Sequence, residues 1–305
     1  MKRIVFTLLL CLVTVLAFST GQAETTEQKP VELKAAHIFA TTTATHEMFV
    51  MLAEKVKEYT GGMVTIVIYP AQQMGDERAE IEGLFNGTID LEMMGAGTFS
   101  SIVPEVACCE FPFLLKGFNH AKKVIPEIMI PFMNTKTQPK GVTIIGYSFT
   151  GIRSTLLRNK PINTFEDLRG LKIRVPQNRV YISTFQAANA NPTPVNWGEV
   201  YTALQTGVVD ACEVTPEFIV GSKLYEVTKY FSLTQHMMAP QLVGIYTKSW
   251  EKIKPYQKEF LRALDEATKW HHAATIANDE SNLQVMIDGG IIVNDPGPAE
   301  RAKFR

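Results

Sequence analysis

The chain has 305 residues, 46% of them hydrophobic and 20% charged, with a formal net charge of −1. That composition excludes intrinsic disorder, collagen-like sequence and coiled coil, and its near-neutral balance lacks the basic face that binding nucleic-acid phosphates requires. The length exceeds what one hydrophobic core usually fills, so two lobes are expected.

Lys2 and Arg3 precede an uncharged run from Ile4 to Phe18, and Gly21-Gln22-Ala23 supplies small residues where a signal peptidase reads. Residues 1–23 therefore read as a secretory signal peptide cleaved before Glu24. The apolar run is shorter than the roughly 20 residues of a spanning helix. Leu10 is too bulky before Cys11 for a lipoprotein site, and no later segment is apolar and long enough to span a bilayer. Cleavage leaves Cys108, Cys109 and Cys212, an odd set in an oxidising compartment. They read as small buried apolar residues, with a bridge from Cys212 to Cys108 or Cys109 left open.

Strand and helix patterns then alternate. Residues 31–39 read as a strand, and 46–59 as a helix with Phe49, Leu52, Ala53 and Val56 on one face and Gly61-Gly62 as its stop. "MVTIVIYP" is a β-branched strand, Asp76 caps a helix through Asn86, and 91–94 is a short buried strand. A helix over about 119–132 leads to the strand "GVTIIGYS". Further on, "NTFEDLRG" is a short capped helix, "LKIRVP" a strand, 179–190 and 198–206 helices, and "VVDACEV" and "LVGIYT" strands. From Pro255 to about Ile287 the chain reads as one helix, long enough to run across both lobes. With no low-complexity linker and no repeat, the class is α/β with two interleaved lobes.

No phosphate-cradling G-x-x-x-x-G-K-[ST] and no G-x-G-x-x-G follows a strand. In "GYSFTG" the second glycine lies one residue too far from Ser148 for a nucleophile elbow. His271 and His272 are adjacent, so a helix points them about 100° apart, and Cys108-Cys109 is not C-x-x-C. An enzyme, a metal site and a cofactor are therefore not expected. Arg153 in "GIRSTLL" and Arg174 in "KIRVP" sit in apolar, strand-like settings where a guanidinium must be hydrogen-bonded. Each fits either an internal salt bridge or a bidentate clamp on a carboxylate ligand. Trp197 fits either core packing or the aromatic wall of a cleft between lobes.

The segment "DLRGLKIRVPQNRVYISTFQAANANPTPVNWGEVYTALQTGVVDACE" (167–213) closely resembles the signature of the extracytoplasmic solute receptors of TRAP transporters, in their dicarboxylate and sialic-acid receptor branch. "YPAQQMGDERAEIEGLFNGTIDLEMMGAG", "FPFLLKGFNHAKKV" and "GIRSTLLRNKPI" resemble the family's earlier segments in the same order. The resemblance implies a two-lobed periplasmic binding protein fold with interleaved lobes, hinge strands and a long helix bracing both. Residues 24–150 with about 240–278 would form lobe I, and 151–239 with about 279–305 lobe II.

The implied function is the periplasmic capture of a small organic acid and its delivery to the membrane permease subunits, by a monomer. A two-lobed sensory protein for the same ligands is the alternative. By the same resemblance, Arg174 matches the arginine that pairs with the ligand carboxylate, Arg153 a second contact, Trp197 an aromatic packing on the ligand and Gln177 a polar contact. Glu213-Val214-Thr215 stands where many members have an asparagine, so Glu213 or Thr215 would take over that contact. Gly95 replaces a glutamate of some acid-sugar receptors, which implies a smaller or more apolar acid. The sequence stops at "AERAKFR", about where relatives begin a final helix, so a short member or a truncated sequence is expected.

Overall fold

The structure, a computed structural model, describes residues 29–304. The expected signal peptide, 1–23, lies outside the described residues.

In the first part of the chain, strand β1 (Val31–Ala36), helix α1 (Ala44–Tyr59), β2 (Val64–Tyr69), α2 (Glu77–Asn86) and β3 (Leu91–Gly95) alternate as expected, and a further short helix, α3 (Ala96–Ser100), follows directly on β3. Local chemistry sets these ends. The Thr43 hydroxyl caps α1 by accepting from the His46 amide at 3.3 Å, and the Asp76 carboxylate caps α2 by accepting from the Ala79 amide at 2.8 Å. Gly87 ends α2 in the left-handed region, where a Cβ would strike the Tyr246 ring. The helix expected over 119–132 is α4 (Phe118–Val124), a π-turn at Ile125–Met129 and α5 (Ile130–Thr137). Pro126 and Pro131 each remove a backbone donor from that run.

Strand β4 (Val142–Leu157) continues nine residues past the end of "GYS". It passes through Gly151, whose φ of 109° lies at a break in the register between Phe149 and Ile152. The second part then runs β5 (Lys172–Val175), α6 (Arg179–Ala187), β6 (Asn191–Pro194), α7 (Val200–Thr206), β7 (Ala211–Val214) and α8 (Pro216–Gly221). Strand β8 (Tyr230–Tyr246) also extends well ahead of the expected "LVGIYT". Gln235 at positive φ and Pro240 interrupt its strand signal in sequence. Helices α9 (Thr247–Lys252) and α10 (Gln257–Asp288), strand β9 (Ile292–Asn294) and α11 (Pro298–Ala302) complete the described chain.

The sheet order is β2-β1-β3-β8-β4-β7-β5-β6, with β9 added alongside β8. Because β4 and β8 are long, each serves two neighbourhoods. Leu242–Ile245 of β8 pairs with β3, whereas Tyr230–Ser232 pairs with β9; Ser154–Leu157 of β4 pairs with β7. This is the interleaved, two-lobed α/β fold, with β4 and β8 crossing between lobes. The proline-rich β6 sits at the sheet edge, where missing amide donors cost little.

Helix α10 has 32 residues and is roughly 48 Å long. Phe260, Ala263, Leu264 and Ala267 pack in the core around Leu33 and Phe49, while Met286 belongs to the core around Phe39 and Ile219. Between these contacts lies a buried polar chain. His271 Nδ1 meets the Ser148 hydroxyl at 2.5 Å and its Nε2 the Thr45 hydroxyl at 3.1 Å; Thr45 donates to Glu217 Oε1 at 2.9 Å. Burial lowers the His271 pKa to about 3, so the ring is neutral. Since the Thr45 proton goes to the carboxylate, Nε2–H donates to Thr45 and Nδ1 accepts from Ser148. The chain joins α10 to β4, α1 and α8.

The three described cysteines are free. Cys109 and Cys212 fill different apolar clusters, as small buried residues.

Candidate ligand-binding site

A cavity opens where the ends of β3 and β5 face the middle of β4 and β8. Arg153, Arg174 and Trp197 line it together, with Glu77, Glu110 and Tyr181 among the other walls. Ile38, Phe218 and Gln241 also contribute. Crevices at strand ends of this kind are the usual ligand sites of α/β folds.

Arg174 is held by β5, flanked by the buried Ile173 and Val175, and is itself 4% exposed. Its Nε–H donates to the Val195 carbonyl at 2.9 Å, and its guanidinium carbon lies 5.4 Å from the centre of the Trp197 ring. Among the described residues no carboxylate comes within 4.0 Å of it. Trp197 is fixed in turn by an edge contact with Phe218, ring centres 4.6 Å apart. The arrangement is a buried cation with one face on an aromatic ring, near enough to Glu77 to lower its pKa but with no carboxylate within 4.0 Å among the described residues, suited to a further carboxylate.

Arg153 is different. Nε and Nη2 both bond to Glu213: Nε to Oε2, and Nη2 to Oε1 at 2.8 Å and to the backbone oxygen at 2.9 Å. Burial alone would raise the pKa of Glu213, but Arg153, with His236, holds it below the usual carboxylate range. Nη1 stays outside this pairing, and the Tyr181 ring lies 5.1 Å from the guanidinium.

The remaining expected residues lie outside the cavity wall. Gln177 lines the adjoining crevice, donating to Asn196 Oδ1 at 2.7 Å. Glu213 is fully buried behind Arg153. Thr215 is also buried, its hydroxyl without a hydrogen-bond partner among the described residues.

Two carboxyls that the sequence reading did not single out enter the cavity. Glu77 follows the cap of α2 and accepts from the Gly95 amide at 2.8 Å and from the Thr98 hydroxyl. With no side chain on Gly95, Glu77 occupies that space: a Cβ there would stand 3.0 Å from its Oε1. Glu77 thus places a carboxyl beside Gly95. Glu110, 3% exposed, accepts from Asn178 Nδ2 at 3.1 Å. Burial raises Glu77, and burial raises Glu110 to about 8 despite the nearby Arg153. In sequence, Glu77 reads as an ordinary first-turn acid, while Glu110, isolated in "CCEFPF", carried the one available signal: a charge in an apolar run.

Polar contacts join the two sides across the cleft. Asn196 donates to Asp76 at 2.8 Å, Asn178 donates to Glu110, and Gly198 lies so near Gln72 that a Cβ would be 2.8 Å from its oxygen.

The family model for bacterial extracellular solute-binding proteins, family 7, matches residues 35–305. The 2,3-diketo-L-gulonate-binding periplasmic protein YiaO of Escherichia coli is 30% identical over 239 residues, 78% of this chain and 73% of that protein. Among solved structures, a TRAP periplasmic solute-binding protein from a Sulfitobacter species, with bound β-D-galacturonate, superposes with a TM-score of 0.85 at 26% identity, covering 90% of this chain and 92% of that one. A TRAP periplasmic solute-binding protein from Sulfurospirillum deleyianum, with bound succinate, gives a TM-score of 0.84 at 27% identity, covering 90% and 91%.

Proposed function

The chain belongs to the bacterial extracellular solute-binding proteins of family 7, the solute receptors of TRAP transporters, and from that premise we propose how its residues capture an organic acid. Arg174 pairs with the ligand carboxylate through the guanidinium edge that Val195 leaves free. Trp197 covers the ligand beside that pair. Arg153 reaches a keto or hydroxyl oxygen through Nη1, while Glu213 serves as its counter-ion and only indirectly as a site residue. Gln177 and Thr215 act at the edge of the site: Gln177 through Asn196, and Thr215 at the start of α8.

Lobe I comprises 24–150 with about 240–278, and lobe II 151–239 with about 279–305. The broken register near Gly151 and the facing Pro240 favour a hinge there. Ligand bound to one lobe would shift the equilibrium toward the closed form, and closure would strengthen the ion pair by excluding water. The chain acts as a monomeric periplasmic receptor without catalytic activity or nucleic-acid binding, exported by residues 1–23. Its partners are a small carboxylate and the membrane permease.

The observation that carries the reading is Arg174, a buried guanidinium facing the cavity with no carboxylate within 4.0 Å among the described residues. A thermal-shift screen of organic acids with their neutral amides tests it. A ligand at a hundred times its dissociation constant adds about 2.7 kcal/mol of stability. The shift should appear for acids, vanish for amides and be lost in Arg174→Ala, which should cost about 2–5 kcal/mol of binding. Affinity within a few-fold of the unaltered protein in that variant would overturn the assignment.

A further inference from the structure

Between Phe111 and Lys140 the chain carries Lys116, Lys122, Lys123, Lys136 and Lys140 against a single acid, Glu127, a balance of +4 in a chain whose total is −1. None of these lysines has a carboxylate within 4.0 Å among the described residues. The helical run through α4, the π-turn and α5 buries one row of side chains four apart, Ala121, Ile125, Met129 and Met133, in the core. Residues four apart drift by about 40° per step around a straight α-helix, and the wider π-turn takes part of that drift back. The neighbouring row, Ile128, Phe132 and Lys136, therefore stays in line and open to solvent, with Lys123 and Pro131 in the row beside it. Ile128 is 63% and Phe132 46% exposed, and Lys136 Nζ lies 6.0 Å from the centre of the Phe132 ring. The result is an apolar ridge flanked by unpaired cations.

We propose that this face of α4 and α5 docks the receptor on the anionic phospholipid surface of the membrane that holds its transporter, with Ile128 and Phe132 entering between headgroups and the lysines pairing with phosphates. Charge complementarity selects that occupant. The rest of the chain balances to −5, so attraction to anionic lipid has to act through this face. Each lysine near such a surface contributes about fivefold to the binding constant, an effect that decays within about 8 Å at physiological ionic strength. A protein partner fits less well, because protein interfaces gather arginine and aromatics at a dry centre and are depleted in lysine. Here every cation from 111 to 140 is a lysine, whose stem lies along apolar surface while its ammonium reaches a phosphate. Other exposed apolar side chains, Val285, Ile287 and Ile292, lie within residues 271–300, which carry five acids and neither lysine nor arginine. An anionic surface would repel that stretch. No residue from 111 to 140 lines the ligand cavity, so docking is independent of the role of Arg174.

Vesicle flotation tests this with the protein as exported, its mass showing that residues 1–23 are gone, since that apolar run would bind lipid by itself. One set of vesicles is phosphatidylcholine alone, and the other has phosphatidylglycerol as a third of its lipid. At low salt the binding constant should be at least tenfold higher on the anionic vesicles, and high salt should abolish the difference. Lys123→Gln with Lys136→Gln should lower binding to anionic vesicles about twenty-five-fold. Ile128→Ser with Phe132→Ser should lower it at least tenfold while leaving the lysines in place. All four side chains are exposed, so both variants should keep the melting curve of the unaltered protein and its thermal shift with organic acids. Equal flotation with and without phosphatidylglycerol, or none with either, would overturn the proposal, and these two arms need no variant. Variants that float like the unaltered protein would also overturn it. Capture only by vesicles that carry the permease subunits would make this face a protein interface and overturn the lipid assignment.

Discussion

The two arginines of the cleft are both buried in strands, yet they do opposite things. At Arg153 the charge is closed off: Glu213 lies on the neighbouring strand β7, takes both Nε and Nη2, and is held ionised by them. At Arg174, two strands further along, the polar partners are a backbone carbonyl and an indole face. Among the described residues the first cation has a carboxylate partner and the second has none within 4.0 Å, which is why the proposed function gives the ligand carboxylate to Arg174. The Ser148–His271–Thr45–Glu217 chain under α10 resembles the Arg153 region, since its histidine uses both ring nitrogens within the protein. Burial of polar groups therefore does not mark function by itself.

The largest effect should come from breaking the closed region. Arg153→Ala leaves Glu213 buried without its cation, and unfolding free energy should fall by about 3–5 kcal/mol, read by denaturant titration. A loss under 1 kcal/mol would mean that His236, 3.7 Å from Glu213, suffices as partner. His271→Leu comes next. It orphans the buried Ser148 hydroxyl, a penalty of about 1–3 kcal/mol, and removes the donor to Thr45, whose hydroxyl keeps its bond to Glu217. The same titration should register that loss, without selectivity for any ligand.

Acid–base behaviour differs in sign among the carboxyls. Glu110 and Glu217, raised to about 8 and about 7, bind protons more tightly in the folded state. Their contribution is favourable below about pH 4.5 and is lost as pH rises through their folded values. Glu213 and Glu266 are depressed, so what they contribute is present at neutral pH and is lost as pH falls below about 4.5. The buried histidines His37, His271 and His272, lowered to about 3, 3 and 4, act in the opposite direction below about pH 6.5, so the carboxyls are read between pH 7 and pH 8. There the melting temperature of the ligand-free protein should fall with rising pH, and Glu110→Gln should lessen that fall. A variant whose melting temperature changes between pH 7 and pH 8 as that of the unaltered protein does would refute the assignment. Smallest of all should be the effect of Arg174→Ala on the ligand-free protein. A hydrogen bond to a carbonyl, about 0.5–1.5 kcal/mol, and the contact with the Trp197 ring are lost, and chemical denaturation should distinguish this from the Arg153 variant.

Much of this was legible in the sequence. The caps at Asp76 and Thr164, the glycine stop at Gly87 and the apolar face of α1 are local signals, and the elements they bound lie where the residues place them. Arg174 and Trp197 were legible as candidates because a guanidinium in an apolar strand and an indole at a helix start are locally unusual. Glu110 was not, although its isolation in an apolar run was visible, because nothing nearby in sequence says that it points at Tyr181 and Asn178.

What the sequence alone determined was therefore the class of fold, its interleaving and the identity of the buried cations. These follow from periodicity, capping and the cost of burying charge, each readable within a few residues. The tertiary structure decided which cation is free. That depends on Glu213 standing 60 residues from Arg153 yet opposite it on the adjacent strand, and on no carboxylate among the described residues coming within 4.0 Å of Arg174. It also decided that β4 and β8 run unbroken through Gly151 and Pro240, since a register formed with partner strands can carry a backbone past residues that would stop an isolated strand.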